Sequence, residues 1–253
     1  MSSLDTDEGE VLVLVASDGA GSAEHSEVGS RLACETVIGV SNAWFLQGRL
    51  CEEIDRAVIE DWLLDALKAI SEEAERREVR PRALACTMLL AVVAPEMSWF
   101  AQLGDGGIVV RRHDAYEVVF WPQSGEYANM TYFLTDAEAL TRVQYTSVIG
   151  DVPEIAVFTD GIQPLALHYA TKTAHEPFFR PMFTALSQQP AGEAHALRSA
   201  LIAFLGSPRI NERTDDDKTL VIATRVAPMP RLDQSAPAPP VQAQLNEPPG
   251  GQA

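Results

Sequence analysis

Hydrophobic residues along the chain are grouped in short runs and in helical spacings, and these patterns predict the order of its secondary structure. Residues 11–17 form a nearly continuous aliphatic run, which predicts a strand buried on both faces. Apolar residues three and four positions apart then predict two helices, at 24–43 and 50–77. The second helix is heavily charged on its other face and ends before Pro81.

The rest of the chain alternates between apolar runs and turn residues. Segment 161–206 is predicted to be mostly helical, with loops at its prolines. Strands are predicted at 84–93, 98–103, 108–112, 116–121, 131–134, 143–148, 154–159 and 218–226. This order, helices, then strands, then helices and a last strand, predicts an α+β fold with largely antiparallel sheets and helices packed outside. From Ala227 onward proline, alanine, glutamine and glycine dominate, which predicts a disordered tail at 227–253 after one domain at 1–226.

The charge balance limits the classes of partner. The chain has 19 basic and 36 acidic residues, a net charge of −17, which argues against nucleic acid or an anionic membrane as a partner. The longest apolar run is too short to span a bilayer, and no signal peptide follows Met1. Three widely spaced cysteines, Cys34, Cys51 and Cys86, indicate reduced thiols and a cytoplasmic protein.

Acidic residues recur at the ends of predicted strands. Asp18 and Asp160 each follow a buried strand and precede a glycine, and Asp215, Asp216 and Asp217 stand directly before the last strand. Taken alone, Asp18 is a turn residue, part of a nucleotide site or a metal ligand. The nucleotide interpretation is weak because Glu24 stands where the third glycine of GxGxxG belongs. The recurrence of acids at the ends of several predicted strands favours the interpretation as metal ligands. Carboxylates that converge at one edge of a sheet repel one another, and a bound cation relieves that repulsion. Oxygen ligands without a cluster of His or Cys favour Mg²⁺ or Mn²⁺.

Five motifs in order make the chain resemble the type-2C metal-dependent Ser/Thr protein phosphatases (the PPM family), in particular their compact bacterial branch. The motifs are "ASDGAGSAEHSEVGSRLA", "ACTMLLAVV", "AQLGDGGIVVRR", "VFTDGI" and "DDKTLVIATR", and the resemblance covers residues 10–226. The resemblance implies a four-layer α-β-β-α sandwich of two mainly antiparallel sheets flanked by helices. It also implies hydrolysis of phosphoserine and phosphothreonine on proteins, by a water that two divalent cations activate. The substrate would be a protein modified by a cognate Ser/Thr kinase.

The resemblance also implies a role for individual residues. Asp18 would bridge two metals, with the carbonyl of Gly19 on the second metal. Asp160 and Asp216 would complete the site, and Asp216 is selected over its two acidic neighbours. Asp105, in the sequence GDGG, would hold a third, weaker metal. No side chain would act as the nucleophile, and residues 163–189 would form a variable flap beside the site.

Two family features are not visible in this sequence. The family opens with a further strand that carries a phosphate-binding arginine, followed by an N-[EQ]-D motif. Here only nine residues precede the first clear strand, and the first arginine is Arg31. An upstream in-frame segment with these features would indicate that the native start lies earlier. Without them we expect weak binding of the substrate phosphate, a loosely held second metal and an exposed neighbouring strand edge. The alternative function is a phosphatase-like regulatory binding module.

Overall fold

Two antiparallel sheets form the centre of the protein, in a computed structural model that describes residues 1–7, 9–123 and 131–225. The first sheet has the strand order β1-β2-β3-β4-β7 and the second has the order β11-β8-β5-β6. A separate two-stranded hairpin is formed by β9 and β10. The strands are β1 Ser2–Thr6, β2 Gly9–Ala16, β3 Met88–Val93, β4 Met97–Leu103, β5 Gly107–Arg112, β6 Ala115–Val118, β7 Gln144–Ile149, β8 Glu154–Phe158, β9 Leu167–His168, β10 Thr173–Ala174 and β11 Leu220–Thr224.

Helices cover the outer faces of the two sheets. The helices are α1 Ser26–Leu46, α2 Arg56–Arg76, α3 Ala139–Arg142, α4 Gln163–Ala166, α5 Glu176–Leu186, α6 His195–Leu205 and α7 Pro208–Asn211. Helices α1 and α2 pack together against the first sheet, and α5 packs against β11 of the second. Within the described residues, every helix is too short or too polar to cross a bilayer.

The burial of alternate residues along a strand shows the layers directly. In β3, Met88, Leu90 and Val92 lie in the core beneath α1 and α2, whereas Leu89 and Ala91 lie in the core between the sheets. Successive side chains of a strand point to opposite faces, so a central strand of a layered protein is apolar at every position. A third core lies between the second sheet and the C-terminal helices. The predicted four-layer α-β-β-α sandwich is therefore confirmed.

The register of the second sheet brings distant parts of the chain to one end of the sandwich. Gly107 at the start of β5 and Leu220 at the start of β11 both lie opposite Phe158, the last residue of β8. Both neighbours run antiparallel to β8, so their first residues adjoin its last one. The residues before β5, after β8 and before β11 therefore share one rim, and this is where the predicted ligands occur.

Most predicted elements are confirmed, with boundaries shifted by a few residues. The helix predicted at 50–77 begins only at Arg56, because Asp55 caps it by accepting a hydrogen bond from the Val58 N–H at 2.9 Å. A short 3₁₀ turn, Cys51–Glu53, precedes it. Within the segment predicted to be mostly helical, the structure adds the β9–β10 hairpin, whose strands of two residues each leave no readable alternation.

Three expectations need correction or lie beyond the described residues. A strand does precede residues 11–17, since β1 pairs with β2 from Ser2↔Val13 to Thr6↔Gly9. The edge of β2 is therefore covered, although β1 contains neither an arginine nor the N-[EQ]-D motif. The strand predicted at 131–134 is wrong, because this segment is irregular and its Leu134 N–H donates to the Cys86 carbonyl at 2.8 Å. The predicted tail, 227–253, lies outside the described residues.

Candidate metal centre

Asp18 lies two residues beyond β2 and is fixed by the loop that leads into β3. Its N–H donates to the Thr87 hydroxyl at 2.9 Å, and the Thr87 N–H donates to the Asp18 carbonyl at 2.8 Å. The Ser17 hydroxyl donates to the Thr87 carbonyl at 2.6 Å. Gly19 follows without a side chain because a Cβ there would lie 2.7 Å from Cβ and Oγ of Ser26. The start of α1 thus packs directly on the backbone beside Asp18.

Asp160 lies two residues beyond β8, and a second buried threonine fixes its loop in a similar way. The Thr219 N–H donates to the Thr159 hydroxyl at 3.1 Å, and the Thr159 N–H donates to the Thr219 carbonyl at 3.1 Å. A Cβ on Gly161 would lie 2.1 Å from the Asp217 carbonyl oxygen. The loop before β11 therefore approaches the Asp160 loop as closely as a glycine allows.

The same contacts place Asp216 beside Asp160. The Cβ of Asp216 lies 3.3 Å from the position that a Cβ on Gly161 would take. The carboxylate oxygen Oδ1 of Asp216 accepts a hydrogen bond from the Asp217 N–H at 2.8 Å. Lys218 turns back toward the same segment, and its ammonium group donates to the Asp216 carbonyl at 3.0 Å.

Asp105 lies in the turn between β4 and β5, on the same rim. Its carboxylate accepts a hydrogen bond from the Thr131 hydroxyl, and its backbone carbonyl accepts one from the Gln163 side chain. Gly104 before it has φ +103, a left-handed conformation that favours glycine. The structure therefore brings Asp18, Asp105, Asp160 and Asp216 to one end of the sandwich, although nearly 200 residues of sequence separate the first from the last.

The electrostatics of this rim reflect the proximity of the four carboxyl groups. Burial, the negative charge of Asp105, a hydrogen bond with Asp18 and the charge of Asp216 together raise the pKa of Asp160 to about 7. Burial also raises the pKa of Asp18; the hydrogen bond with Asp160 opposes this rise, and the charges of Asp216 and Asp105 reinforce it. All of these charged neighbours are acids, so the rim is a site of concentrated, poorly compensated negative charge.

Among the described residues, no three His, Cys, Asp or Glu side chains are grouped as they would be around a metal ion. The Asp216 carboxylate accepts a hydrogen bond from the N–H of its neighbour Asp217. The chemistry of the site nevertheless suits a hard cation, because Oδ1 of Asp160 is buried without a hydrogen-bond partner. A buried oxygen of this kind costs free energy unless a ligand pairs with it.

A large apolar cleft lies elsewhere in the described part of the chain. Its volume is about 1270 Å³, and it runs between α5, α6 and β11, lined by none of the four acids. The size of the cleft and the acids of the rim therefore indicate two different locations for a functional site. The rim carries the groups that can do chemistry, whereas the cleft is lined mainly by aliphatic and aromatic side chains.

Sequence reasoning missed the polar residues that support the acids. Thr87 and Thr159 are 3% and 2% exposed, and each uses its hydroxyl to tie the end of one strand to another segment. Gln102, Gln123 and Gln163 hold the backbone of the Asp105 turn. A buried polar residue between apolar neighbours, as in "ACTMLL", was the only signal for Thr87 in the sequence.

Comparisons with known proteins agree with this arrangement. The family model described as Protein phosphatase 2C matches residues 2–206. Serine/threonine-protein phosphatase 3 of Escherichia coli (strain K12) is 36% identical over 217 residues, which cover 86% of this chain and 85% of that protein.

Solved structures show the same fold at lower identity. PppA, described as a key regulatory component of T6SS in Pseudomonas aeruginosa, aligns with a TM-score of 0.55 at 16% identity, over 88% of this chain and 90% of that chain. The catalytic domain of the serine threonine protein phosphatase PstP, solved in complex with two manganese ions, aligns with a TM-score of 0.55 at 15% identity, over 89% and 91%. The acidic rim, the sandwich and the family match agree: the chain belongs to the protein phosphatase 2C family and is a metal-dependent protein serine/threonine phosphatase.

Proposed function

We propose that Asp18, Asp160 and Asp216 hold two Mg²⁺ or Mn²⁺ ions, and that Asp105 holds a third, weaker one. The observation that carries this proposal is the mutual effect of these four carboxyl groups on the pKa values of Asp18 and Asp160, together with the unpaired Oδ1 of Asp160. The manganese bound by PstP supports the choice of metal. Mg²⁺ and Mn²⁺ both bind oxygen ligands in octahedral sites, which suits a rim of carboxylates and carbonyls.

Each acid has a distinct part in the proposed site. Asp18 would contribute its carboxylate to both metals, and the backbone carbonyl of the adjacent Gly19 would contribute to the second. Asp160 and Asp216, which come from the ends of two neighbouring strands of the second sheet, would hold the first metal. When bound, two divalent cations lower the pKa of a shared water and polarise the phosphoryl group. The protein's contribution is to hold the oxygen atoms of the proposed metal ligands in place. No side chain is proposed to act as the nucleophile.

Substrate binding is expected to be weak in this chain. β1 carries no arginine, so it supplies no bidentate, charge-assisted contact to a substrate phosphate. We therefore expect a high KM for phosphopeptides and a second metal that dissociates readily. The substrate is a phosphoserine or phosphothreonine protein, proposed to be that of a cognate kinase. We further propose a cytoplasmic setting without nucleic acid or membrane partners, on the grounds of three widely spaced cysteines and a net charge of −17.

The direct test is hydrolysis of a phosphothreonine peptide with Mn²⁺ and with a chelator. Wild type should turn over the peptide with Mn²⁺ and lose activity with the chelator. Asp18→Asn should reduce kcat by more than about 100-fold, because the bridging ligand is lost. The matched control is Asp61→Asn, the same change at an exposed position of α2, which should leave kcat unchanged.

The outcomes separate an enzyme from a binding module. If the wild-type protein binds the phosphopeptide in the presence of Mn²⁺ but does not hydrolyse it, the regulatory binding module is the better description. If Asp18→Asn and Asp61→Asn have equal activity, the acidic rim is not the catalytic site.

A further inference from the structure

The turn that carries Asp105 is held by side chains from three separate segments. The Gln102 side chain donates to the carbonyls of Gly104 and Gly106 at 3.4 Å and 3.1 Å. The Gly104 N–H donates to the Gln123 side-chain carbonyl at 2.9 Å. The exposed backbone groups of a tight turn commonly bond to water. In this turn, backbone groups bond to protein side chains instead, so the protein itself holds the turn.

The opposite side of the turn is pressed against the sheets. A Cβ on Gly106 would lie 2.5 Å from a methyl group of Leu89 and 2.7 Å from the Phe158 carbonyl. A Cβ on Gly107 would lie 2.5 Å from the Phe158 ring. The turn is therefore packed closely against Leu89 and Phe158 at Gly106 and Gly107.

Gln163 also holds this turn. It is the first residue of α4, three positions after Asp160, and its amide N–H donates to the Asp105 carbonyl. The Tyr169 hydroxyl donates to the side-chain carbonyl of the same glutamine. A glutamine amide has one accepting and one donating end, so the bond from Tyr169 fixes which end faces Asp105.

Tyr169 is itself placed by a neighbouring ring. Its ring centroid lies 5.8 Å from that of Trp121 in an edge-to-face contact. Burial raises the pKa of the Tyr169 hydroxyl, and the charges of Asp105 and Asp160 add to this rise, as expected for a hydroxyl that faces the acidic rim. The residue is 55% exposed, so its replacement leaves the core intact.

We propose that Gln163 and Tyr169 are positioning residues that aim Asp105 at the weakest metal site. This inference rests on the proposed metal centre and goes beyond it, because neither residue is a ligand. Without the Gln163 amide, the Asp105 carbonyl loses this hydrogen bond, and among the described residues the Thr131 hydroxyl is the side-chain partner that still bonds to the carboxylate. Outer-shell partners of this kind change metal affinity about 10- to 100-fold in other metalloproteins.

The test is Mn²⁺ titration of the full chain by calorimetry, with bound Mn²⁺ counted by electron paramagnetic resonance. Gln163→Met and Tyr169→Phe should each raise the Kd of the weakest ion about tenfold and change the tighter ones by less than about twofold. The double variant should match Gln163→Met, because the tyrosine acts through the glutamine. The controls are Gln47→Met, on an exposed residue, and Tyr116→Phe, whose hydroxyl bonds to Glu154 far from the rim.

A second measurement does not depend on metal. Amide hydrogen exchange of the metal-free protein across residues 104–107 should be faster in Gln163→Met than in wild type or Gln47→Met. If wild type binds Mn²⁺ and both rim variants bind it equally well with unchanged exchange, the positioning role is wrong while the metal centre stands. If wild type binds no Mn²⁺, the metal centre itself is wrong and the positioning role falls with it.

Discussion

Among the proposed metal ligands, Asp160 is the one whose ionisation is expected to lower the stability of the metal-free protein most clearly. Burial and neighbouring acids raise its pKa to about 7, so the folded protein holds a proton there that the unfolded chain releases above its ordinary pKa of 3.8. The folded state binds more protons between these two values, and stability therefore falls as the pH rises through that window. Above pH 7 the full cost is present. A partly buried carboxylate without a cation is expected to cost the metal-free protein about 1–2 kcal/mol after allowance for solvent screening.

The prediction is that Asp160→Asn stabilises the metal-free protein at pH 8 by about 1–2 kcal/mol and has little effect at pH 4. The amide removes the charge but keeps the size of the side chain. Urea unfolding in the presence of a chelator measures the difference at the two pH values. Asp61→Asn, on the surface of α2, should have no such pH dependence. An equal loss of stability at both pH values would show that Asp160 is a structural residue and not a strained ligand.

Single residues also show how far the sequence could lead. The position of Asp18 and Asp160 after apolar runs was readable, because a strand end followed by Asp-Gly is a local pattern. The roles of Thr87 and Thr159, which hold these two loops, could not be predicted, because their hydrogen-bond partners lie 69 and 60 positions away in the sequence. Only the fold brings such residues together, and no local spacing encodes the contact.

At the scale of whole elements, the register of α1 on the first sheet depends on one glycine. A Cβ on Gly29 would lie 1.9 Å from the Leu84 carbonyl, in the segment that leads into β3. A side chain at position 29 would therefore force helix α1 away from the Leu84 segment. That segment leads to Thr87, which accepts a hydrogen bond from the Asp18 N–H. Gly39, in the same helix, has no atom within 4 Å of such a Cβ.

These two glycines form a matched pair for a stability test. Gly29→Ala should destabilise the protein by about 1–3 kcal/mol, as over-packing of a tight contact does. Gly39→Ala should stabilise it by as much as about 1 kcal/mol, because alanine favours the helix and meets no obstacle. Urea denaturation of both variants measures the change in the free energy of unfolding, which should be a decrease for Gly29→Ala and an increase for Gly39→Ala. A stabilising effect of Gly29→Ala would contradict the close packing of α1 on the Leu84 segment.

The elements themselves were predicted well where they are long and periodic. Helices α1 and α2 and the buried strands were readable, since their apolar spacing follows directly from the layers they join. Strand β1 was missed, because its sequence SSLDT has one apolar residue and is stabilised by pairing with β2. The β9–β10 hairpin and the irregular segment after residue 130 were likewise set by tertiary contacts.

At the scale of the molecule, the sandwich serves to collect acids from distant parts of the chain. The first sheet contributes Asp18, the second contributes Asp160 and Asp216, and the turn between the sheets contributes Asp105. A chain with a net charge of −17 has many acids on its surface, and composition alone cannot identify the four that lie together at this rim. Their convergence follows from antiparallel pairing, which sets the start of β11 opposite the end of β8.

The central proposal is that Asp18, Asp160 and Asp216 form one metal site, and the contacts at Gly161 favour Asp216 over Asp217. Asp217 faces Gly161 through its backbone carbonyl, whereas the side chain of Asp216 begins beside the same glycine. Asp216 is also the member of that acidic run that shifts the pKa of both Asp18 and Asp160. Asp217→Asn is therefore the matched control for Asp216→Asn.

The most direct measurement is Mn²⁺ titration by calorimetry at pH 8, where Asp160 is ionised, on wild type and four single variants. Asp18→Asn, Asp160→Asn and Asp216→Asn should each weaken binding by more than about 100-fold, with Asp18→Asn the worst because it removes the bridge. Asp217→Asn should stay within about threefold of wild type. If Asp217→Asn abolishes binding while Asp216→Asn is silent, the assigned ligand is off by one residue. If all four variants bind Mn²⁺ as wild type does, the three aspartates do not form a metal site.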